Sequence, residues 1–505
     1  MKFRIRRSVM LPEIVAQKSE NQIASDVSDL FNEYQIELAK ISELGKLLKN
    51  FEGPFQYFIK GNKLHSSYTR HMDPDLAVKA LNSEYWDRAI KKTDMLDYMS
   101  AQERSEWHNM ISEFKTPEFS AKNLYATLDQ FIKNKDQLLA KKVDGIFRSL
   151  SGHHVTNNPM AFSKKMIISN ALDSFGSPNY RTCETLDDLR LIVAKYMGRD
   201  TDDYDPRTRS TLRITEFGQE VKIDGGALTL KIFKVGTIHI QVHPEIAIYL
   251  NDVLSNLYPA VIASSKGRPS KAKKAYDKPL QKNFLSDEVL RILMDISEYR
   301  NRSIYTKNQV VKEILLYLGA IEESGTFHIP EESIAGLNEI IRMGCYPEKK
   351  SNQFYPTKSA LASMVISKLG YIESWDRVLE PSAGQGGLSD RLPKKRTTCV
   401  EIDPVNCSIL KEKGFSVVEG DFLSQSFERK FQKIAMNPPF SDGRALQHLN
   451  KAIELLDDGG TLVAILPCSL VGKVDVSGAA IEWSEPIEGQ FDDTNVRVTV
   501  LTINK

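Results

Sequence analysis

The sequence predicts an α/β protein: a doubly wound mixed sheet, closing on a C-terminal antiparallel hairpin, behind a mainly helical α+β N-terminal half. Three observations predict it. From residue 346 to the end, strand-like and helix-like segments alternate, and the first strand, Val378-Leu379, runs directly into a glycine-rich loop. Residues 21–51 and 121–150 repeat apolar side chains at three- and four-residue steps, the pattern of long amphipathic helices. Between Ala227 and Val242 two β-rich runs flank a turn containing Gly236, which reads as a hairpin followed by a helix over 244–257.

These changes of texture divide the 505 residues into five segments. Residues 1–150 are mainly helical, 151–262 form an α+β module with the hairpin, and 263–282 are a basic linker. Residues 283–345 read as a helical region, and 346–505 as the sheet domain. Hydrophobic residues make up 41% and charged residues 26%, so most of the chain should fold. Lys plus Arg number 67 against 66 Asp plus Glu, so a net charge of +1 gives no global pull on polyanions and any such site must be a local patch. The linker is one: Lys266 to Lys282 holds seven cations and a single acid, Asp277. No apolar run reaches the ~18 to 20 residues that cross a bilayer, and the N-terminus, with Lys2, Arg4, Arg6 and Arg7, lacks a secretory apolar stretch. A cytoplasmic protein with no membrane partner is expected. The five cysteines (183, 345, 399, 407, 468) are scattered and read as free thiols. His153-His154, and His239 with His243, have no companion cluster, so no metal site is expected.

The chemistry-bearing residues lie at successive strand ends. After Val378-Leu379 comes Glu380-Pro381-Ser382-Ala383-Gly384-Gln385-Gly386-Gly387, a strand, glycine loop and expected helix that let backbone N–H groups approach a ligand closely. Taken alone, an ordinary tight turn stays equally open. A second strand, 397–400, ends at Glu401, where a carboxylate can accept hydrogen bonds from ribose hydroxyls. A third, 416–419, leads to Asp421-Phe422, an acceptor and an aromatic suited to an adenine ring. A fourth, 433–436, leads into Asn437-Pro438-Pro439-Phe440, a turn in which the prolines fix φ and hold an amide oxygen and a carbonyl beside an aromatic ring. The third small residue of a nicotinamide-binding fingerprint would fall at Ser389, a poor fit.

Together, Glu-Pro-Ser-Ala-Gly-Gln-Gly, Glu401, Asp421-Phe422 and Asn-Pro-Pro-Phe resemble the class I S-adenosylmethionine-dependent methyltransferases, specifically the DNA adenine-N6 group. The resemblance covers roughly residues 354–505 and implies a Rossmann-like domain with S-adenosylmethionine as cofactor. It places the cofactor's adenine at Asp421 and Phe422, its ribose on Glu401, and its methionine end against Glu380, Pro381, Ala383, Gly384 and Gly386. Phe354-Tyr355-Pro356-Thr357 resembles the family's methionine-clasping segment, with Thr357 as a contact. Its position before the glycine loop is similar to the γ order of motifs. The strand over 459–467 resembles the family's fifth and that over 496–503 its final antiparallel strand, and Phe491 stands where a second base-stacking aromatic can lie.

The resemblance implies DNA as partner, either a duplex with a flipped adenine or a single strand. The exocyclic amine of adenine is a poor nucleophile because its lone pair is delocalised into the ring. Acceptance of its two hydrogens by the Asn437 side-chain oxygen and the Pro438 carbonyl would localise that pair. Phe440, and Phe491 behind it, would stack on the extruded base. A core position for either aromatic stays open. Between Leu470 and Phe491 there is no room for a recognition domain, and none follows the last strand, so recognition is expected to be weak or to come from residues 1–345. Residues 143–259 resemble a module of unknown function found upstream of methyltransferase domains in phage and plasmid proteins. Lys266-Gly267-Arg268-Pro269 resembles the minor-groove AT-hook core, with lysine in place of its first arginine; a solvated linker stays open. RNA-base amine and protein glutamine methyltransferases also use Asn-Pro-Pro-aromatic turns, and a non-catalytic DNA-binding phage protein is a further alternative.

Overall fold

The apolar stripe over 21–51 forms helix α1 (Glu20–Asn50), which packs on α2 (Pro74–Lys91). Asp73 caps α2 by accepting from Asp75 N–H at 2.9 Å, and Pro74 sets its first helical φ. Between them Tyr34 is buried and donates to Asn82 Oδ1 at 2.7 Å, an oxygen that also accepts from Phe119 N–H at 3.0 Å. The computed structural model describes residues 20–50, 53, 73–93, 95–99, 101–149, 165–173, 176–201, 204–257, 280–299, 302–347, 357–440, 443–474, 476–488 and 497–505. They divide into two compact units, Met1–Lys282 and Asn283–Lys505. Among the described residues no helix is long and apolar enough to cross a membrane.

The first unit continues with α3 (Ala101–Ser112) and α4 (Ala121–Ser149). It then forms a four-stranded antiparallel sheet in the order β1-β4-β3-β2, from β1 (Lys165–Ile168), β2 (Glu220–Ile223), β3 (Leu228–Phe233) and β4 (Thr237–Val242), with α5 (Tyr180–Tyr196) inserted after β1. The hairpin lies where the sequence places it, with Gly236 at φ +81° in its turn. Leu228, Leu230 and Ile232 are buried while Thr229, Lys231 and Phe233 are half-exposed, so one face of the sheet packs inward. Helix α6 (Pro244–Leu254) follows, with His243 accepting from Glu245 N–H at its N-terminus. His239 packs against Phe233 with ring centroids 4.4 Å apart and the rings tilted by 52°.

In the second unit, the segment expected as a helical region contains a three-stranded sheet as well. Helices α7 (Asp287–Glu298), α8 (Gln309–Tyr317) and α9 (Ser333–Met343) are interleaved with β5 (Ser303–Tyr305), β6 (Ile321–Glu323) and β7 (Thr326–His328), ordered β5-β7-β6. Three-residue strands carry too few positions for a two-residue alternation to register in sequence. Ser324 and Gly325, both at positive φ, close the hairpin between the last two.

After α10 (Ser359–Leu369) comes the large sheet: β8 (Val378–Glu380), β9 (Thr397–Glu401), β10 (Ser416–Glu419), β11 (Phe431–Met436), β12 (Leu456–Pro467), β13 (Ala480–Trp483) and β14 (Val498–Asn504). Its order is β10-β9-β8-β11-β12-β14-β13. The first five strands pair in parallel, while β14 runs antiparallel to both β12 and β13. Strands β13 and β14 form the antiparallel C-terminal pair that the sequence predicts, although no span had been assigned to β13. Helices α11 (Pro404–Glu412) and α12 (Arg444–Leu455) complete the crossovers. Leu462, Ala464 and Leu466 enter a core shared with Ala445, Leu449 and Ala452 of α12, whereas Val463 and Ile465 pack with Leu361, Ala362 and Val365 of α10. Burial on both faces explains the unbroken apolar run of β12. One expectation fails: no α-helix follows the glycine loop. Residues 389–391 and 394–396 form only short 3-10 turns, because Pro393 stops the chain before a helix could complete two turns.

Candidate functional site

Because β8, β9, β10 and β11 are parallel, their C-terminal ends open on one edge of the sheet. The order reverses between β8 and β11, the place where such folds form a crevice. A cavity of about 510 Å³ lies there, of a size that suits a small-molecule ligand.

The glycine loop forms one wall. Gly384 and Gly386 sit at φ +54° and +98°, and a Cβ on Gly387 would approach the Thr357 side chain to 3.3 Å. The loop is held from outside by side chains that sequence reasoning missed. Lys413 donates to the Gln385 carbonyl and to Asp390 Oδ2, each at 2.8 Å, and Gln385 Nε2 donates to the Tyr317 carbonyl at the end of α8 at 2.8 Å. Tyr317 in turn donates its hydroxyl to Asp403 Oδ2 at 3.3 Å.

Two buried carboxyls close the base of the site. Glu401 accepts Gly384 N–H on Oε2 at 2.7 Å and the N–H groups of Ile402 and Asp403 on Oε1, both at 2.8 Å. Thus the end of β9 and the glycine loop share one carboxylate. Ile402, half-exposed in the cavity beside it, offers an apolar contact that no sequence motif had signalled. Glu380 is 2% exposed and accepts from the Ser389 hydroxyl. Burial pushes its carboxyl up to about 8, against the opposing hydrogen bond from Ser389. A carboxyl raised on folding stabilises the fold fully below its ordinary value near 4.5 and loses that contribution as pH rises through about 8. The thermal midpoint should therefore decline between those values. Glu380→Gln should remove that part of the slope, which pH-dependent calorimetry of both proteins measures.

Asp421 caps the turn that follows β10, accepting from Leu423 N–H at 3.0 Å. Phe422 borders the cavity, but its ring is buried in the core with Ala445 and Leu449. Beside it His448, 4% exposed, pairs Nδ1 with the Ser382 hydroxyl at 3.2 Å, and its Nε2 has no hydrogen-bond partner among the described residues. Burial pushes the imidazole down to about 4, so it is neutral at pH 7.

The fourth strand end brings Asn437, Pro438, Pro439 and Phe440 to the same cavity. Asn437 donates Nδ2–H to Thr357 Oγ at 3.1 Å, which turns the other end of its amide, the acceptor oxygen, to its remaining surroundings. Phe440 is half-buried and packs against both cores. The cavity thus brings together Thr357, Glu380, Pro381, Ala383, Gly384, Glu401, Asp421, Phe422 and the Asn-Pro-Pro-Phe turn; Gly386 is buried within the loop. Lys266, Arg268 and Phe491 lie outside the described residues. Arg444, exposed at the cavity rim, was not foreseen either.

A family model described as a domain of unknown function (DUF4942) matches residues 78–260, overlapping and extending upstream of the module expected there. No curated protein matches the chain in sequence. Among solved structures, an rRNA methylase from Streptococcus thermophilus is 11% identical, covering 29% of this chain and 96% of its own, with a TM-score of 0.24. A dimethyladenosine transferase from Plasmodium falciparum is 18% identical over 30% of this chain and 63% of its own, with a TM-score of 0.26. TrmN from Thermus thermophilus is 19% identical over 29% and 48%, with a TM-score of 0.25. The match thus spans less than two thirds of the length of the latter two. The C-terminal sheet is itself doubly wound, its strand order reversing between β8 and β11.

Proposed function

We propose that the C-terminal unit transfers a methyl group from S-adenosylmethionine to the exocyclic N6 amine of adenine in DNA. The observation that carries the reading is the Asn437 amide, anchored through its nitrogen by Thr357 in a cavity that also contains the glycine loop and Glu401. The residues fit the cofactor. Glu401 already accepts three backbone N–H groups, and a carboxylate offers about four lone-pair sites, so it retains capacity for a ribose hydroxyl. Ile402 and Asp421 suit the adenine moiety, and Glu380 with the loop N–H groups the methionine end. When bound, the cofactor supplies a methyl group on a sulfonium sulfur whose positive charge activates it for displacement.

The chain's own part is orientation. Asn437 Oδ1 and the Pro438 carbonyl accept the two amine hydrogens and thereby concentrate the lone pair on nitrogen, while Phe440 stacks on the base. Thr357 is then a positioning residue. Thr357→Val should lower the single-turnover rate about tenfold with little change in the Michaelis constant for DNA, and Thr357→Ser should restore it. Equal loss in both variants would remove Thr357 from the account. The function itself is tested by incubating the full chain with tritiated cofactor and, in parallel, DNA, RNA and total protein. Label in DNA is expected; label confined to RNA or protein would transfer the site to that substrate.

A further inference from the structure

Opposite the cavity, at the N-terminal edge of β8, β9 and β11, three segments converge: 371–377 before β8, 393–396 before β9 and 428–430 before β11. Contacts tie them together. Arg396 donates to the Glu373 carbonyl, Arg377 donates to the Arg429 carbonyl at 3.0 Å, and the Arg377 guanidinium lies 4.7 Å over the Phe431 ring. Two large aromatics stand out from this edge, Tyr371 at 79% and Trp375 at 72% exposure. Tryptophan is seldom left in water to that degree. Around them the three segments carry Arg377, Lys394, Lys395, Arg396, Arg429 and Lys430 against Glu373, Asp376 and Glu428, an excess of three positive charges in a chain whose total is +1, of which Asp457 at the start of β12, also acting on Arg377, offsets one. Lys394, Lys395, Arg429 and Lys430 form no ion pair among the described residues, and Asp376 is buried, accepting from Glu373 N–H at 2.8 Å.

We propose that this edge is a binding surface for single-stranded nucleic acid, with bases stacking on Trp375 and Tyr371 and phosphates held by Lys394, Lys395, Arg429 and Lys430. Every base has a π-face, so exposed aromatics interleaved with unneutralised cations hold a strand without reading its sequence. The surface extends the reading of the protein as one that acts on nucleic acid, but it is separate from the cavity and can be tested without it.

The test uses the full chain and a fluorescein-labelled oligothymidylate of about 20 nucleotides, which contains no adenine and is no substrate for the Asn437 site. Anisotropy should report binding, with quenching of tryptophan emission. Tyr371→Ala with Trp375→Ala should weaken that binding at least about tenfold. Lys394→Glu with Lys395→Glu and Lys430→Glu should also weaken it and should flatten the salt dependence, by roughly 0.7 in log–log slope for each phosphate no longer neutralised. All five side chains are exposed, and an unchanged thermal midpoint would verify that the variants are folded. Asn437→Ala should bind the oligothymidylate as the parent does, so failure of methylation would leave this result standing. Oligouridylate should bind comparably and duplex DNA more weakly. Parent-like binding by the aromatic variant, preference for duplex, or loss in that variant of self-association seen by sedimentation would each overturn the proposal, the last by assigning the edge to a second copy of the chain.

Discussion

Asn437→Ala is expected to reduce single-turnover methyl transfer at least ~100-fold, with only a modest change in cofactor affinity. The size of the effect follows from when the hydrogen bond matters. A neutral amine in the ground state gains little from two acceptors, whereas a nitrogen acquiring positive charge as its new bond forms gains much more. The side chain is half-buried and its one described hydrogen bond is to Thr357, so its removal should cost little folding stability. The measurement is a rapid-quench time course at saturating DNA, with calorimetric titration of S-adenosylhomocysteine alongside. Retained turnover would remove Asn437 from the reaction.

Glu401→Ala should have the largest effect on the cofactor site. The carboxylate holds three backbone N–H groups from two segments, and its loss leaves one buried donor and two half-buried ones unpaired while freeing the glycine loop from β9. A buried unpaired donor costs ~1 to 3 kcal/mol and a half-buried one less, so stability should fall by about 2 kcal/mol and S-adenosylhomocysteine affinity by at least about tenfold. Denaturant unfolding and calorimetry separate the two effects. Unchanged affinity in a folded variant would leave Glu401 as a purely structural brace.

What could be read from the sequence was local. Glu380, Glu401, Asp421 and Asn437 each stand at the end of a recognisable strand, and parallel pairing alone carries four such ends to one edge. The long helices at 20–50 and 121–149 were legible because their apolar period persists over many turns. The illegible parts depend on contacts distant in sequence. Lys413 reaches the loop across 28 positions, His448 reaches Ser382 across 66, and Tyr317 reaches Asp403 across 86; no spacing rule connects such pairs. The helix expected after Gly387 is absent for a local reason: Pro393 ends the segment within two turns of the loop. Phe422 illustrates a further difficulty: an aromatic next to a ligand-type acceptor looks the same in sequence whether its ring faces a cavity or, as here, the core.

The role proposed for Asn437 and its turn is to direct a methyl group to an adenine amine. It is tested most directly by digesting DNA methylated by the full chain to nucleosides and separating them by chromatography with mass detection. N6-methyldeoxyadenosine is expected from the parent, and at least ~100-fold less from Asn437→Ala over the same initial period. Methyl on a ring carbon, such as 5-methyldeoxycytidine, or equal N6-methyldeoxyadenosine from both proteins, would contradict it.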